Sequence, residues 1–304
     1  MQNQFGQALR GKVQKFRFNN LFILSSLSFL MPNKKRFNKI CKDIKDIKIQ
    51  GARNIAKAAL YAYSIYPSFS SKKKLLSLRP TEPMLVNVLN RIEKENYKKI
   101  LRRFDEAQKK INQNVLKIIK NKPTIFTHCH STNVVQALIY AKKHGKKFQV
   151  YIAETRPLFQ GRKTAKELEK AGIKVTMFAD SAAALALEKE NQKDKIYSDV
   201  VFFGADAILK NGAINKIGSG MFAEIAKASK IPIYIIADSW KFSSKDVKIE
   251  ERNFHEVWKN VPRHIKIKNP AFELIKKKYI KAIVSELGIL SYEQFLKRVK
   301  KNNF

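Results

Sequence analysis

The chain has 304 residues, of which 44% are hydrophobic, so it carries enough apolar surface for one large or two modest domains and is not a disordered chain. Its two cysteines, Cys41 and Cys129, supply neither a disulfide framework nor a structural zinc site, and they suit a reducing cytoplasm. The formal net charge of +36 comes mostly from Lys scattered along the chain, which favours solvated Lys-rich faces over a dedicated nucleic-acid module; binding of RNA or another polyanion stays open as the alternative.

Residues 1–31 differ in residue pattern from the rest of the chain. Lys12, Lys15 and Arg17 precede an apolar run that imitates a signal peptide. The run is only about ten residues, whereas a membrane span needs about 20, and no small-residue cleavage site follows. We therefore expect a non-native or disordered extension ahead of a cytosolic start at Met31, with no membrane association; a peripheral anchor is the alternative.

Residues 32–121 are predicted to form a smaller, all-helical N-terminal domain. Apolar residues recur at helix-like intervals around Ile49, Ile55 and Leu60, and a second pattern over 89–118 predicts one long helix with a single apolar stripe. This stripe faces either the core or a subunit interface. The polar segment 68–74 and the turn 78–83 separate the helices.

Residues 122–304 alternate between short apolar runs and helical patterns, such as those at 162–171 and 219–229. The runs are predicted as strands at 124–128, 148–154, 174–180, 200–206 and 232–238. Near-continuous apolar strands joined by helices indicate a parallel sheet covered on both faces. The predicted fold class is therefore α/β, with a Rossmann-like catalytic domain after the helical one.

Each predicted strand ends in a polar side chain. These residues are His128 with Cys129, Glu154, Asp180, Asp206 and Asp238. The carboxyl ends of parallel strands meet at one edge, where ligands bind, so Cys129 and Asp206 are predicted to share a site. Asp180 and Asp238 are interpreted as capping or loop residues, and Glu154 is expected to anchor its loop through Arg156.

Cys129 precedes Ser131 and Thr132, where a helix is predicted to begin. The dipole and free amides of a helix N-terminus stabilise a thiolate, which predicts a base near neutral pH. The alternative is a small buried hydrophobe, the common state of a free Cys. Asp206 is predicted to retain a proton if its pocket is dry, and the two groups would then form an acid/base couple.

Two further elements indicate a phosphorylated substrate. The stretch 215–220 leads into a helix whose first amides are predicted to hold a phosphate, the alternative being a plain connection capped by Ser219. Arg53 and Arg79 of the helical part are expected to close over the same crevice, because Arg binds phosphate in a bidentate manner.

The motif series of residues 122–290 resembles that of one superfamily. It unites ribose-1,5-bisphosphate isomerase, methylthioribose-1-phosphate isomerase and the alpha, beta and delta regulatory subunits of the translation initiation factor 2B exchange factor. The matching motifs are Thr-His-Cys-His-Ser, Glu-Thr-Arg-Pro-Leu-Phe-Gln-Gly-Arg, Gly-Ala-Asp, Asn-Gly-Ala-Ile-Asn-Lys-Ile-Gly, Ala-Asp-Ser-Trp-Lys-Phe and Asn-Pro-Ala-Phe-Glu. The isomerases resemble this chain in having both Cys129 and Asp206. Asp180-Ser181 and Trp240-Lys241-Phe242 are similar to the archaeal ribose-1,5-bisphosphate isomerases.

The resemblance implies isomerisation of ribose 1,5-bisphosphate to ribulose 1,5-bisphosphate in AMP salvage, without metal or other cofactor. Asp206 would protonate the sugar and Cys129 would take the C2 proton, with a hydride shift as the competing route. The implied substrate contacts are Ser131, Thr132 and Asn133 near the thiol, Asn215, Lys216 and Lys241 on the far side, and Gly51, Ala52, Arg53 and Arg79 at the remaining phosphate. Gln50 and Arg53 depart from the family pattern, which indicates a remodelled phosphate loop.

The resemblance also implies a homo-oligomer, a dimer or a hexamer, and leaves AMP or another nucleotide open as an effector. Two other functions stay open at this point. One is methylthioribose-1-phosphate isomerisation, and the other is a non-catalytic role as a translation-linked regulatory or binding protein.

Overall fold

The computed structural model describes residues 33–189 and 196–301, so the predicted extension at 1–31 lies outside it. The chain begins with helices α1 (Asn33–Lys45), α2 (Ala52–Ile65), α3 (Phe69–Ser77), α4 (Pro83–Arg91) and α5 (Tyr97–Ile118). The prediction of one long helix over 89–118 is wrong. A break separates α4 from α5, where the Asn96 side chain accepts a hydrogen bond from the Lys99 amide at 2.8 Å and starts a new helix.

The sheet region follows with β1 (Thr124–Thr127), α6 (Thr132–Lys143), β2 (Gln149–Ala153), α7 (Gln160–Glu169), β3 (Lys174–Phe178), β4 (Val200–Phe203), β5 (Ala207–Ile208), β6 (Gly212–Lys216), α8 (Ser219–Ala228), β7 (Ile233–Ile236), β8 (Phe272–Lys276), β9 (Ala282–Ser285), β10 (Gly288–Leu290) and α9 (Tyr292–Lys301). The large sheet has the order β10-β9-β7-β4-β1-β2-β3. All its neighbouring strands run parallel except β10, which pairs antiparallel with β9. The predicted Rossmann-like parallel sheet is confirmed.

Both faces of the central strands are covered, as their apolar sequences predict. All four residues of β1 and all four of β4 are buried. On one face Phe126 contacts Phe203 and Phe222 edge to face, and on the other Phe202 packs among apolar residues of α5 and α6. This double covering is what requires nearly continuous apolar strands.

A second, smaller sheet was not predicted. The run at 200–206 ends as strand β4 at Phe203, and β5, β6 and β8 form a separate antiparallel sheet in the order β5-β6-β8. The amide of Asp206 donates to the Ile214 carbonyl at 2.8 Å, so β6 holds the segment after β4. As a result Asp206 and Lys216 lie beside the same edge of the large sheet.

The helical layer is fixed to this edge by specific contacts. Phe104 of α5 meets Trp240 edge to face with ring centroids 5.5 Å apart, and Asn87 of α4 donates to the carbonyls of Trp240 and Phe242. Arg103 donates to the carboxylates of Asp238 and Glu286. Helices α4 and α5 therefore lie against the loops at the carboxyl ends of β7 and β9. Within the described ranges, no helix combines the length and apolar character that crossing a bilayer requires.

Candidate active site

A crevice lies between the helical layer and the carboxyl ends of β1 and β4, the position at which open parallel sheets bind ligands. Every residue predicted for the site lines it. These residues are Gly51, Ala52, Arg53, Arg79, Cys129, Ser131, Thr132, Asn133, Asp206, Asn215, Lys216 and Lys241. Residues far apart in sequence thus share one cavity, as the strand-end pattern predicts.

Cys129 occupies a sharp turn between β1 and α6. Its φ of 68° lies in the left-handed region, which is costly for a residue with a side chain. The Cys129 amide donates to Thr155 Oγ1 at 3.0 Å, and its carbonyl accepts from Thr164 Oγ1 at 3.0 Å. Ser131 then caps α6, the predicted start of that helix. The turn directs the chain so that Cys129 lines the crevice.

The loop after β2 supports this turn. Asp180 accepts hydrogen bonds from the amides of Thr155 at 2.8 Å and Arg156 at 2.6 Å, so its predicted loop role is confirmed. The expected contact between Glu154 and Arg156 is wrong. Glu154 instead accepts from Arg162 at 2.8 Å, in the first turn of α7.

The thiol of Cys129 is neutral in this crevice, contrary to the predicted thiolate. Burial raises the pKa of Cys129 to about 11, against the lowering effect of Lys216, while Asp206 raises it further. A hydrogen bond from the His130 amide also lowers the pKa, but desolvation outweighs this hydrogen bond and the charge of Lys216 together. Cys129 can act as a base only when a nearby positive charge or hydrogen-bond donor stabilises its thiolate.

Asp206 behaves as predicted. Burial raises the pKa of its carboxyl group above the ordinary value, although nearby cations oppose the shift. Those cations are Lys241, Arg79, Lys216 and Arg252. A carboxyl group that keeps its proton at higher pH than usual is suited to act as a general acid.

The crevice is strongly cationic. Six Lys and Arg side chains line it, against the two carboxyl groups of Glu82 and Asp206. The cations are Arg53, Arg79, Lys163, Lys216, Lys241 and Arg252. The excess of positive charge, partly shielded from water, favours a ligand with more than one negative charge.

The predicted phosphate site at the start of α8 is wrong. The Gly220 amide donates to Glu273 Oε1 at 2.8 Å, so a carboxylate from β8 already holds that amide of the helix N-terminus. Ser219 is fully buried, and its hydroxyl donates to the Lys216 carbonyl at 2.6 Å. The turn is a plain connection that positions Asn215 and Lys216.

The N-terminus of α2 faces the crevice from the other side. Gly51 precedes the helix with a φ of 84° and lines the crevice with Ala52 and Arg53. Arg53 donates to Asp105 at 2.6 Å and to Gln108 at 3.2 Å. Gln108 in turn accepts from Asn133 at 2.8 Å, which ties the α2 and α6 N-termini together.

His130 is a lining residue whose role the sequence did not indicate. Its Nδ1 lies 2.9 Å from Thr164 Oγ1, and because that hydroxyl donates to the Cys129 carbonyl, Nδ1 carries the proton. Burial, with a contribution from Lys163, lowers the pKa of His130 to about 3. The ring is therefore neutral, and its Nε2, an acceptor in this tautomer, lies 3.9 Å from Glu167 Oε1.

Glu82, Lys163 and Arg252 also line the crevice and were missed. Glu82 belongs to the punctuated turn before α4, and Arg252 to a segment without helical or strand periodicity. Lys163 stands on α7, directly after Arg162 of the Gln-Gly-Arg motif. Sequence signals existed for Glu82, whose turn carries Arg79, and for Lys163, which follows the loop after β2, but none existed for Arg252.

Known proteins resemble this chain over most of its length. The sequence profile of the Initiation factor 2 subunit family matches residues 65–292. A ribose 1,5-bisphosphate isomerase of Methanocaldococcus jannaschii is 36% identical over 281 residues, which cover 81% of this chain and 89% of that protein. A methylthioribose-1-phosphate isomerase of Dehalococcoides mccartyi is 30% identical over 338 residues, covering 93% and 99%. The solved structure of the Pyrococcus horikoshii translation initiation factor eIF-2B has a TM-score of 0.74 and 26% identity, over 84% of this chain and 97% of that one.

Proposed function

This chain belongs to the Initiation factor 2 subunit family, and within it we propose that the protein is a sugar-phosphate isomerase that converts ribose 1,5-bisphosphate into ribulose 1,5-bisphosphate. The observation that carries the proposal is the shared crevice of Cys129 and Asp206, with six cationic side chains around them. A thiol and a carboxyl group provide acid/base chemistry, and the cations provide affinity for a doubly phosphorylated sugar.

Asp206 is the proposed acid for ring opening. The phosphate on the C1 oxygen prevents the ring from opening as a free hemiacetal does, so the bond between C1 and the ring oxygen must break with a proton delivered to that oxygen. The raised pKa of Asp206 supports this role, because the carboxyl group keeps its proton to a higher pH than an ordinary Asp does. Asp206 recovers a proton when the C2 hydroxyl becomes a carbonyl.

Cys129 is the proposed group at C2. It removes the C2 proton as the ring bond breaks, which leaves an enol phosphate, and returns a proton to C1 to give the ketose. Lys216 lowers the pKa of the thiol and is therefore placed to assist its ionisation. The competing route moves hydride from C2 to C1 and needs no thiolate. The high pKa of Cys129 favours this hydride route. Turnover in D₂O separates the two, because only proton transfer introduces deuterium at C1.

Two cationic regions support a bisphosphate rather than a monophosphate. Arg79, Lys216, Lys241 and Arg252 all interact with Asp206 on one side. Arg53 and the α2 N-terminus contribute from the helical layer, where the charge of Arg53 is partly balanced by Asp105. The 30% identity to a methylthioribose-1-phosphate isomerase supports the runner-up, in which the second region contacts no phosphate.

The experiment that tests this proposal is turnover of α-D-ribose 1,5-bisphosphate compared with 5-methylthioribose 1-phosphate under the same conditions. We expect kcat/KM for the bisphosphate to be higher by about 100-fold or more, because a charge-assisted phosphate contact contributes about 1.5–3 kcal/mol and several are present. A preference for the methylthio sugar would establish the runner-up. Turnover of neither sugar would favour the non-catalytic binding protein.

The proposed function also includes a location, an assembly and an effector. We expect a cytoplasmic homo-oligomer, either dimer or hexamer, with AMP or another nucleotide as a candidate effector and no required nucleic-acid partner. Strand β3 supports the oligomer, since it lies at the edge of the large sheet and exposes Met177 there. Light scattering of the purified protein measures the assembly directly.

A further inference from the structure

Glu82 is a buried acid inside the cationic crevice. Its side chain is 1% exposed, and it stands directly before Pro83 at the start of α4. Burying a carboxylate is costly unless hydrogen bonds and counter-charges compensate it. The partners of Glu82 therefore decide which protonation state it adopts.

Glu82 lacks such compensation. Its Oε1 lies 3.7 Å from Arg79, beyond hydrogen-bonding distance, and within residues 33–189 and 196–301 its Oε2 has no hydrogen-bond partner. Arg79 lies closer to Glu250, at 3.2 Å, and Lys241 donates to the Ala205 carbonyl. Lys241 is thus directed to another acceptor, and Arg79 forms an ion pair with Glu250 Oε2 without a hydrogen bond to it.

Other unpartnered polar atoms cluster at the same place. Arg79 Nε, Arg252 Nε and Arg252 NH1 are buried without a hydrogen bond among the described residues, as is Glu250 Oε2. Glu250 forms ion pairs with Arg79 at 3.2 Å and with Arg252 at 3.3 Å, and Arg252 lines the crevice with Arg79 and Glu82. Guanidinium donors without acceptors beside a carboxyl oxygen without a donor indicate a site that a ligand completes. An anion satisfies the guanidinium groups, but it would face an ionised Glu82 as a like charge.

Several charged groups of the crevice affect the pKa of Glu82. Burial raises the pKa of Glu82 to about 8, with Asp206 acting in the same direction as the next largest cause. Glu82 therefore holds a proton at neutral pH and can donate a hydrogen bond. The groups that face it are Asp206, Arg79, Lys241, Glu250 and, through its own electrostatic contact, Arg252.

We propose that Glu82 is a substrate-binding residue that acts in its neutral form, donating a hydrogen bond to a phosphate group held by Arg79 and Arg252. This inference rests on the proposed sugar-phosphate chemistry of the same crevice and names the residue that makes phosphate binding proton-dependent. A neutral carboxyl group donates to a phosphate oxygen, whereas the ionised group repels it. Phosphate affinity therefore falls as pH rises through the titration of Glu82.

The test is the binding of inorganic phosphate, measured by calorimetry from pH 7 to 9.5 for the wild type and Glu82→Gln. Gln has nearly the same shape and cannot ionise. We expect the two affinities to agree within about threefold at pH 7, and the wild type to bind about 30-fold more weakly than Glu82→Gln at pH 9.5, because each pH unit above the titration point costs about tenfold. Lysine titration affects both proteins equally and cancels in this ratio.

Two further variants make the result specific. Glu106→Gln removes an exposed carboxylate on α5 and should leave the wild-type pH dependence unchanged. Glu82→Leu fills a similar volume without a donor and should weaken phosphate binding by about tenfold or more at pH 7, the loss expected for a charge-assisted hydrogen bond. Equal pH dependence in the wild type and Glu82→Gln would overturn the inference.

The outcome is separable from that of the proposed function. The binding measurement needs no turnover, so the Glu82 effect can be observed in a protein that isomerises neither sugar. Conversely, an active isomerase whose wild type and Glu82→Gln forms bind phosphate alike at pH 9.5 would keep the proposed function and refute the role of Glu82.

Discussion

Ser131 packs directly against the backbone of Gly204. A Cβ added at Gly204 would lie 2.5 Å from both Cβ and Oγ of Ser131. Ser131 follows the turn that carries Cys129, and Gly204 begins the segment that carries Asp206. This contact therefore joins the segment that follows the thiol to the segment that carries the carboxyl group.

Gly204→Ala should destabilise the protein and reduce its activity. Overpacking a tight contact costs about 1–3 kcal/mol, and the forced shift separates the two catalytic segments. Chemical denaturation measures the first effect and turnover the second. Adding Ser131→Gly should restore most of the lost stability, since Gly at an N-cap costs only a few tenths of a kcal/mol relative to Ser. Unchanged stability of Gly204→Ala would show that the contact relaxes freely.

Thr155→Val should lower kcat more than it raises KM. The substitution removes the oxygen that accepts from the Cys129 amide and leaves that amide without its acceptor, at a cost of about 1–3 kcal/mol. When this energy is lost from the transition state, because Cys129 is no longer held in place, kcat drops by about 5–150-fold. Thr155→Ser keeps the hydroxyl group and is the matched control. Equal kcat values for the two variants would contradict the positioning role.

The strands and their common edge could be predicted from sequence because both depend on local patterns. A short run such as 124–128 predicts a buried strand, and the carboxyl ends of parallel strands meet at one edge, which places Cys129 and Asp206 together. The cap at Ser131 follows in the same way from its residue type and position. These features need no knowledge of distant contacts.

The features that were missed depend on distant contacts. The first amides of α8 were predicted to hold phosphate, but Glu273 from β8 occupies the amide of Gly220, and nothing near Gly220 in sequence shows this. The pKa of Cys129 follows from its burial, and the sequence predicted that the helical layer closes over the crevice but not how completely it would remove the thiol from water. Glu82 lies in a turn whose residues signal a helix start but not the inward direction of its side chain.

Alkylation of Cys129 should report a thiol that ionises far above neutral pH. Its pKa of about 11 predicts a rate with iodoacetamide that is about 100-fold lower at pH 7 than for a thiol of ordinary pKa. Measurement in a Cys41→Ala background follows Cys129 alone, because the chain has two cysteines. Lys216→Gln should move the titration to still higher pH, since Lys216 lowers the pKa of the thiol. A midpoint near pH 8 would contradict the burial argument.

Glu82 should make the folded state less stable as pH rises. Its pKa is about 8 when folded, against an ordinary value of 4.5, so the folded state binds a proton that the unfolded state releases across that window. The stability contributed by the proton is complete below pH 4.5 and is lost as pH rises through 8, by at most about 1.4 kcal/mol per pH unit. Denaturation of the wild type and Glu82→Gln at pH 5 and pH 8 measures the difference. The stability of Glu82→Gln relative to the wild type should increase between these two values, and a constant difference would contradict the raised pKa.

Cys129 and Asp206 are proposed to act together on one sugar bisphosphate. The most direct measurement is phosphorus NMR of α-D-ribose 1,5-bisphosphate with the wild type, Cys129→Ser and Asp206→Asn, with Cys41→Ala as the control for a thiol outside the crevice. We predict that the wild type and Cys41→Ala form ribulose 1,5-bisphosphate at similar rates, and that Cys129→Ser and Asp206→Asn are each slower by about 10²–10⁴-fold, the usual contribution of a general acid or base. Wild-type turnover that survives both substitutions unchanged would contradict the account.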